Sequence, residues 1–156
     1  RALARRSEPA WALVVGKDKR AGRYRTLAAR LGIAERVRFV GGVSDVRPYL
    51  AASDAFVLPT LYDPFPNAAL EAMAAGLPVV TSTKCGAAEI VREGESGFVR
   101  DALDVSGIAQ CLDRLDPATS RRLGEAAREA VAALTPEAMA VEYLALYERL
   151  LAGKLG

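Results

Sequence analysis

Two carboxylates, Asp63 and Glu71, frame the start of the stretch "DPFPNAALEAMAAGLPVVTS", Asp63 to Ser82. An ionised carboxylate only accepts hydrogen bonds, so a pair of them suits a ligand rich in hydroxyls. Pro66 fits the first position of a helix, where its missing N–H costs nothing. The amides of Asn67 and Ala68 would then be unpaired donors at the positive end of that helix, and such an end attracts phosphate or another oxygen-rich group. Glu71 lies at i+4 from Asn67 and projects on the same side. Asp63 and Glu71 would thus bracket the helix start. The alanines at 68, 69, 72, 74 and 75 leave room for close approach by a ligand and by neighbouring strands. A plainer account of the same residues stays open: Asp63 as a turn residue before Pro64, and Glu71 as an acid that complements the helix dipole.

Three further loops carry residues of the same kind. In "GKDKRAG", Gly16 and Lys17, with Lys19, can set an amide and an ammonium beside a diphosphate; a solvated turn is the equal alternative. Neither G-x-G-x-x-G nor a P-loop is present. "GGVSD" follows Val40, with Gly41 and Gly42 at its head. "TSTKCGAAE" places Lys84, Gly86 and Glu89 after a strand, as an amide-lined ligand edge or as an ordinary loop. The chain has no histidine, and Cys85 and Cys111 lack metal-ligand spacing. Zinc sites of Cys/His type and Ser–His or Cys–His machinery within the chain are therefore excluded. With no base to activate it, Cys85 reads as a small buried residue.

The elements that must hold these loops alternate between short apolar strands and helices. Strands are expected at Trp11–Gly16, Val37–Gly42, Ala55–Thr60, Pro78–Ser82 and Gly97–Arg100. Helices are expected at Arg23–Leu31, stopped by Gly32, at Val46–Ala52 and Asn67–Ala75, and as a short turn at Ala87–Arg92. The remainder reads as helical over Val105–Leu115, Ala118–Leu134 and Pro136–Leu151. The pattern predicts an α/β fold, a parallel sheet with helices on both faces. Ligands of such sheets sit outside the carboxyl ends of the strands, where the four loops lie. The two terminal helices are expected to pack on the sheet. Tyr143, Leu146, Tyr147 and Leu150 form either a core stripe or the cover of a partner surface.

Composition sets the outer limits. The 156 residues, 51% hydrophobic and 26% charged, suit one ordinary domain. A net charge of +2 implies no general polyanion surface, and no nucleic-acid partner is expected. The charge is uneven, because Arg1 to Arg38 holds eleven Lys/Arg against Glu8, Asp18 and Glu35. That end faces phosphates or anionic lipid, or forms solvated helix faces. Two lone cysteines suit a reducing cytoplasm, no apolar run matches a membrane span, and no signal peptide is visible. Because the first residue is Arg1, the chain is expected to be a piece of a longer protein.

The order of these loops resembles a known family. "DPFPNAALEAMAAGLPVVTSTKCGAAEIVREGESGFV" is similar to the signature region of retaining, family-4-type glycosyltransferases of the GT-B fold. There an acid, seven residues and a glutamate precede A-M-A-x-G-x-P-V-V, as Asp63, Glu71 and Ala72–Val80 do here. The likeness runs from about Pro9 to Leu115, and "VVGKDK" with "TKCGAAEIV" suggests the branch that glucosylates lipopolysaccharide core. The resemblance implies a donor-binding Rossmann-like domain, one half of the GT-B fold. Its first strand, carrying an Arg/Lys pair, and an N-terminal acceptor domain would precede Arg1.

The implied activity is transfer of a hexose from a nucleoside-diphosphate sugar, UDP-glucose above all, to a glycan or lipid-linked acceptor. No cofactor or metal is implied. Asp63 and Glu71 would form the reaction centre, Glu71 on the ribose hydroxyls and Asp63 on those of the transferred sugar. Phe65, Pro66, Asn67 and Ala68 would meet sugar and diphosphate, Val40, Gly41 and Gly42 the base, and Gly16 and Lys17 the phosphates. The family usually has Glu at the place of Asp63, which is shorter by about 1.5 Å, and often glycine at that of Pro66. The same architecture serves nucleotide-sugar 2-epimerases, which typically use histidine, and a non-catalytic interaction module is a further alternative. The isolated chain is expected to be inactive. A cytoplasmic location, with peripheral contact to membrane, completes the expectation.

Overall fold

The strand Val79–Ser82 is buried at all four positions, and the α/β architecture is arranged about it. The computed structural model describes residues 1–153. In chain order the elements are α1 (Ala2–Arg5), β1 (Ala12–Val15), α2 (Ala21–Arg30), a 3-10 turn (Ala34–Arg36), β2 (Val37–Gly41), α3 (Arg47–Ala51), β3 (Phe56–Leu58), α4 (Asn67–Ala74), β4 (Val79–Ser82), a second 3-10 turn (Gly86–Glu89), β5 (Gly97–Arg100), α5 (Val105–Asp113), α6 (Pro117–Val131) and α7 (Pro136–Leu151). All strand pairs are parallel. The expected elements are all present, with ends moved by one or two residues. The exceptions are the turn expected at Ala87–Arg92, which begins at Gly86 and closes at Glu89, and α6, which stops at Val131 rather than Leu134. The helix α1 is not among the expected elements. Among the described residues the strands form two sheets, β1–β2 and β3–β4–β5, with no hydrogen bonds joining β1 to β3.

Successive strand side chains point to opposite faces, so β4 feeds two cores. Val79 joins Ala69, Ala72 and Met73 of α4 with Ala127 and Val131 of α6. Val80 joins Phe98 of β5, Ile108 and Cys111 of α5, Leu115 and Leu123. Helices therefore cover both faces, which explains why β4 is buried along its whole length. Burial pushes the Cys111 thiol above its ordinary pKa, as a structural cysteine requires.

Of the two uses expected for the alanines at 68, 69, 72, 74 and 75, the structure shows the close packing of neighbours. Ala69 and Ala72 are fully buried, while Ala68, Ala74 and Ala75 face solvent. Small size at 69 and 72 admits the packed neighbours, not a ligand. The closest crossing lies just past the helix, where a Cβ on Gly124 of α6 would strike the Gly76 carbonyl. Arg128 of α6 closes the end of α4, its Nε donating to Ala74 O at 3.2 Å and its Nη2 to Ala75 O at 3.1 Å. These are carbonyls a helix terminus leaves unpaired.

At the ends of the chain one expectation is narrowed and one fails. Part of the basic N-terminal run is spent internally: Arg5 Nη1 donates to Ser106 Oγ at 2.6 Å and Arg6 Nε to Asp113 at 3.3 Å, both on α5. The last helix does not pack on the sheet. No residue of α7 is buried, and Met139, Val141, Tyr143, Leu144, Tyr147 and Leu150 are all exposed. Both faces of β4 are already closed by α4, α5 and α6, which leaves α7 no core to join. The core-stripe reading of Tyr143 and Tyr147 is thereby corrected; they stack on each other, with ring centroids 6.2 Å apart.

The α4–α6 crossing yields a stability prediction. Gly124→Ala should overpack it and lower unfolding free energy by about 1–3 kcal/mol. The check is urea unfolding, where the midpoint should fall with the slope unchanged.

Candidate functional site

Parallel pairing brings the carboxyl ends of the strands to common edges, and there the sequence-predicted residues fall into two groups. The first stands at the ends of β1 and β2. The register shifts between Val14 and Val15, so that Val15 pairs with Gly41, and the Gly16 amide donates to Gly41 O at 2.8 Å. Gly41 has φ +86°, a backbone region that favours glycine. Lys17 folds its stem over Gly42, where a Cβ would come 2.5 Å from Lys17 Cγ and 2.8 Å from Cε. Gly16, Lys17, Val40, Gly41 and Gly42 are thus brought together, with Lys17, Gly42 and Gly16 exposed.

The second group is the loop after β3 with the start of α4. The buried hydroxyls of β4 hold this loop: Thr81 Oγ1 donates to Leu58 O at 3.1 Å, and Ser82 Oγ to Thr60 O at 2.5 Å. Thr60 Oγ1 donates in turn to Tyr62 O at 3.0 Å. The loop then runs alongside the one after β4. The Asp63 amide donates to Lys84 O at 3.2 Å, and the Gly86 amide to Asp63 O at 2.9 Å. At Gly86 there is no room for a side chain, because a Cβ would strike the Pro64 carbonyl and press on the Phe65 ring. Sequence reasoning missed Thr81 and Ser82 as positioning residues and left Gly86 undecided. The available signal was two hydroxyl residues ending an otherwise apolar strand.

Pro66 differs from expectation. It is the residue before the helix, with φ −76° and ψ 118°, and Asn67 is the first helical residue. The chain leaves the clamped loop extended, since a residue before proline disfavours the helical region, and turns only at Asn67. The consequence for the donors is small. No side chain caps α4, and among the described residues the Asn67 and Ala68 amides have no protein acceptor, while that of Ala69 donates to Pro66 O at 3.0 Å. Glu71 is exposed and Asp63 half-buried. Among the described residues neither carboxylate enters a hydrogen bond or ion pair, nor does the ammonium of Lys17 or Lys84.

The two groups belong to separate sheets, and no hydrogen bond between them is present among the described residues. Their chemistry is complementary: free amides and ammonium groups for anions, free carboxylates for hydroxyls. Among the described residues no hydroxyl or thiol of these loops hydrogen-bonds a carboxylate or an ammonium group. The arrangement can bind and orient an anionic, hydroxyl-bearing ligand and stabilise negative charge that develops on it.

Comparison with known proteins gives the family and the fold. Residues 1–116 match the family model described as "Glycosyl transferases group 1". The lipopolysaccharide core biosynthesis glycosyltransferase LpsE of Rhizobium meliloti (strain 1021) is 36% identical over 139 residues, 87% of this chain and 40% of that protein. Sucrose-phosphate synthase from Thermosynechococcus elongatus superposes with a TM-score of 0.84 at 34% identity, over 97% of this chain and 41% of that one. HepE from Anabaena, solved in complex with UDP and glucose, gives a TM-score of 0.75 at 26% identity, over 97% of this chain and 43% of that one. The chain thus spans 40% of the length of LpsE, and no more than 40% of the other curated relatives compared with it. The fold is that of GT-B glycosyltransferases.

The clamp on the Asp63 loop is testable. Ser82→Ala should cost about 1 kcal/mol by leaving the Thr60 carbonyl without its donor. Gly86→Ala should displace Pro64 and Phe65 and speed amide exchange at Asp63 and Gly86, with exchange at the core of α5 unchanged. Unaltered protection at Asp63 in Gly86→Ala would show that the clamp does not hold the loop.

Proposed function

The chain belongs to the group 1 glycosyl transferases, and from that premise we propose that it is the nucleotide-sugar-binding domain of a retaining hexosyltransferase. One observation carries the reading: Asp63, the Asn67 and Ala68 amides and Glu71 are all unengaged at the start of one helix. In this proposal Glu71 takes the ribose hydroxyls and Asp63 those of the transferred hexose. The amides of Phe65, Asn67 and Ala68 line the sugar and diphosphate, Gly16 and Lys17 face the phosphates, and Val40–Gly42 border the base. UDP-glucose is the proposed donor; the UDP and glucose held by HepE support that choice. The name of LpsE supports a lipopolysaccharide or other glycan acceptor.

The proposed reaction breaks the bond between the anomeric carbon and the diphosphate oxygen, the electron pair leaving with the diphosphate. The acceptor hydroxyl oxygen bonds to the same face of that carbon, and its proton passes to the departing phosphate. Amides and ammonium groups stabilise the charge that develops, so no enzyme nucleophile or metal is needed. Asp63 and Glu71 act by binding and orientation.

The whole enzyme includes an acceptor domain upstream on this reading. An upstream strand with an Arg/Lys pair would pair with the edges of β1 and β3, where Leu13, Val14 and Val57 lie exposed. The exposed face of α7 would cover the acceptor domain. The proposed location is the cytoplasm, beside the membrane that carries lipid-linked acceptors; no helix of the described residues is long and apolar enough to cross a membrane.

The test is a two-dimensional amide NMR titration with UDP, UDP-glucose and GDP-mannose. Shifts should concentrate at Gly16–Lys19, Val40–Gly42 and Asp63–Glu71, with UDP-glucose ranking above GDP-mannose. Glu71→Ala should weaken binding about 10- to 100-fold, the loss of hydrogen bonds to a charged group. An upstream-extended chain that also fails to bind any of the three would refute the donor reading.

A further inference from the structure

An open pocket of about 500 Å³ lies between the loops after β3 and β4, within the usual size of small-ligand sites, about 300–1,000 Å³. Asp63 stands in its wall, with Tyr62, Thr83, Lys84 and Glu89, whereas Glu71 is not part of it. The donor reading makes no use of these other residues. Their side chains are unengaged: among the described residues Tyr62 Oη, Thr83 Oγ1, Lys84 Nζ and the Glu89 carboxylate make no hydrogen bond or ion pair. Their backbones are fixed by the clamp. The Tyr62 carbonyl accepts from Thr60 Oγ1 at 3.0 Å, the Lys84 carbonyl from the Asp63 amide at 3.2 Å, and the Thr83 amide donates to Arg100 O at 3.1 Å. Free polar groups on an anchored backbone are the mark of a site organised before its ligand arrives.

The composition of the wall selects the ligand. Two carboxylates face one ammonium, so the pocket carries a net negative charge and disfavours phosphate or another anion. Tyr62 is 76% exposed, and its ring offers an apolar face for stacking. A ligand must therefore combine a flat apolar face with a rim of groups that both donate and accept. A neutral pyranose does so, its C–H face on the ring and its hydroxyls toward Asp63, Thr83, Lys84 and Glu89.

We infer that this pocket binds a neutral pyranose residue of the acceptor glycan, on a wall shared with the donor site through Asp63. Assignment to the acceptor rests on the donor reading of the Glu71 helix. Tyr62 and Glu89 are then specificity residues for the acceptor, and Asp63 touches both sugars.

The test uses the full-length protein and saturation-transfer NMR with methyl α-glycosides of glucose, galactose and mannose, each at ~10 mM, suited to millimolar affinity. At least one glycoside should receive saturation at its ring protons. The signal should fall about fivefold or more, ~1 kcal/mol, in Tyr62→Ala and in Glu89→Gln, and persist in Tyr62→Phe, which keeps the stacking face. It should also persist in Glu71→Ala, in which UDP binding is weakened. The inference is overturned by the absence of saturation for all three, by signals indifferent to Tyr62→Ala and Glu89→Gln, or by a glycoside signal weakened together with UDP binding in Glu71→Ala, which would set the sugar in the donor site. Failure of the wild-type protein to bind UDP would overturn the donor reading instead, and with it the assignment to an acceptor.

Discussion

A polar side chain buried in a strand must find a partner, and in β4 that requirement builds the site. Thr81 and Ser82 are both 1% exposed. Their hydroxyls donate to the carbonyls of Leu58 and Thr60, just where β3 ends and its loop begins. The loop is thereby aimed by the most buried part of the molecule. Everything that follows along it, from Tyr62 to the first amide of α4, inherits that direction. The backbone pairing of Asp63 with the Lys84–Gly86 segment then fixes it from the other side. A loop held along both flanks keeps its amides and carboxylates in place before any ligand is bound, and so reduces the ordering cost of binding.

The same helix answers two demands at its two ends. Ala69, Ala72 and Met73 of α4 are closed into the core, and the stretch just beyond it passes against Gly124 with Arg128 capping its last carbonyls. That end is satisfied by protein. The start is not: no side chain caps it, and the Asn67 and Ala68 amides are free. A helix anchored at its far end can leave its near end uncapped, because α6 and β4 supply the stability that a cap would add. The alanines are explained mainly by this anchoring. What serves a ligand is the bare terminus and the carboxylates on either side of it.

Much of this was legible in the sequence because it rests on local pattern. The apolar runs around Val14, Phe39, Val57 and Val79 mark strands by composition, and Gly32 marks a helix end. The acid-x7-acid spacing with the motif after it pointed to Asp63 and Glu71. Less legible was whatever depends on contacts across the fold. Nothing near Gly86 in sequence shows that Pro64 will lie against it, and nothing near Arg5 shows that Ser106 will accept its hydrogen bond. Pro66 sits between the two cases: its residue type allows the first helical position or the one before it, and the clamp on the preceding loop decides. Helix periodicity in α7 was equally visible, but periodicity cannot say which surface a helix covers.

Among the described residues three apolar surfaces have no partner: β1 at Leu13 and Val14, β3 at Val57, and nearly the whole of α7. Exposed strand edges invite pairing, and an apolar helix that buries nothing gains no stability from its pattern. These surfaces lie away from the two cores, which are closed on both faces of β4 without them. Each is therefore dispensable for the core and costly in water. The proposed two-domain enzyme accounts for all three at once. A strand inserted between β1 and β3 would join the two sheets and carry the ends of β1 and β2, with Lys17, to a fixed place beside the Asp63 loop. Separate explanations for the edges and the helix would have to leave the two halves of the site unconnected. That coupling, between completing the sheet and assembling the site, is the strongest physical reason to place donor binding in a longer chain.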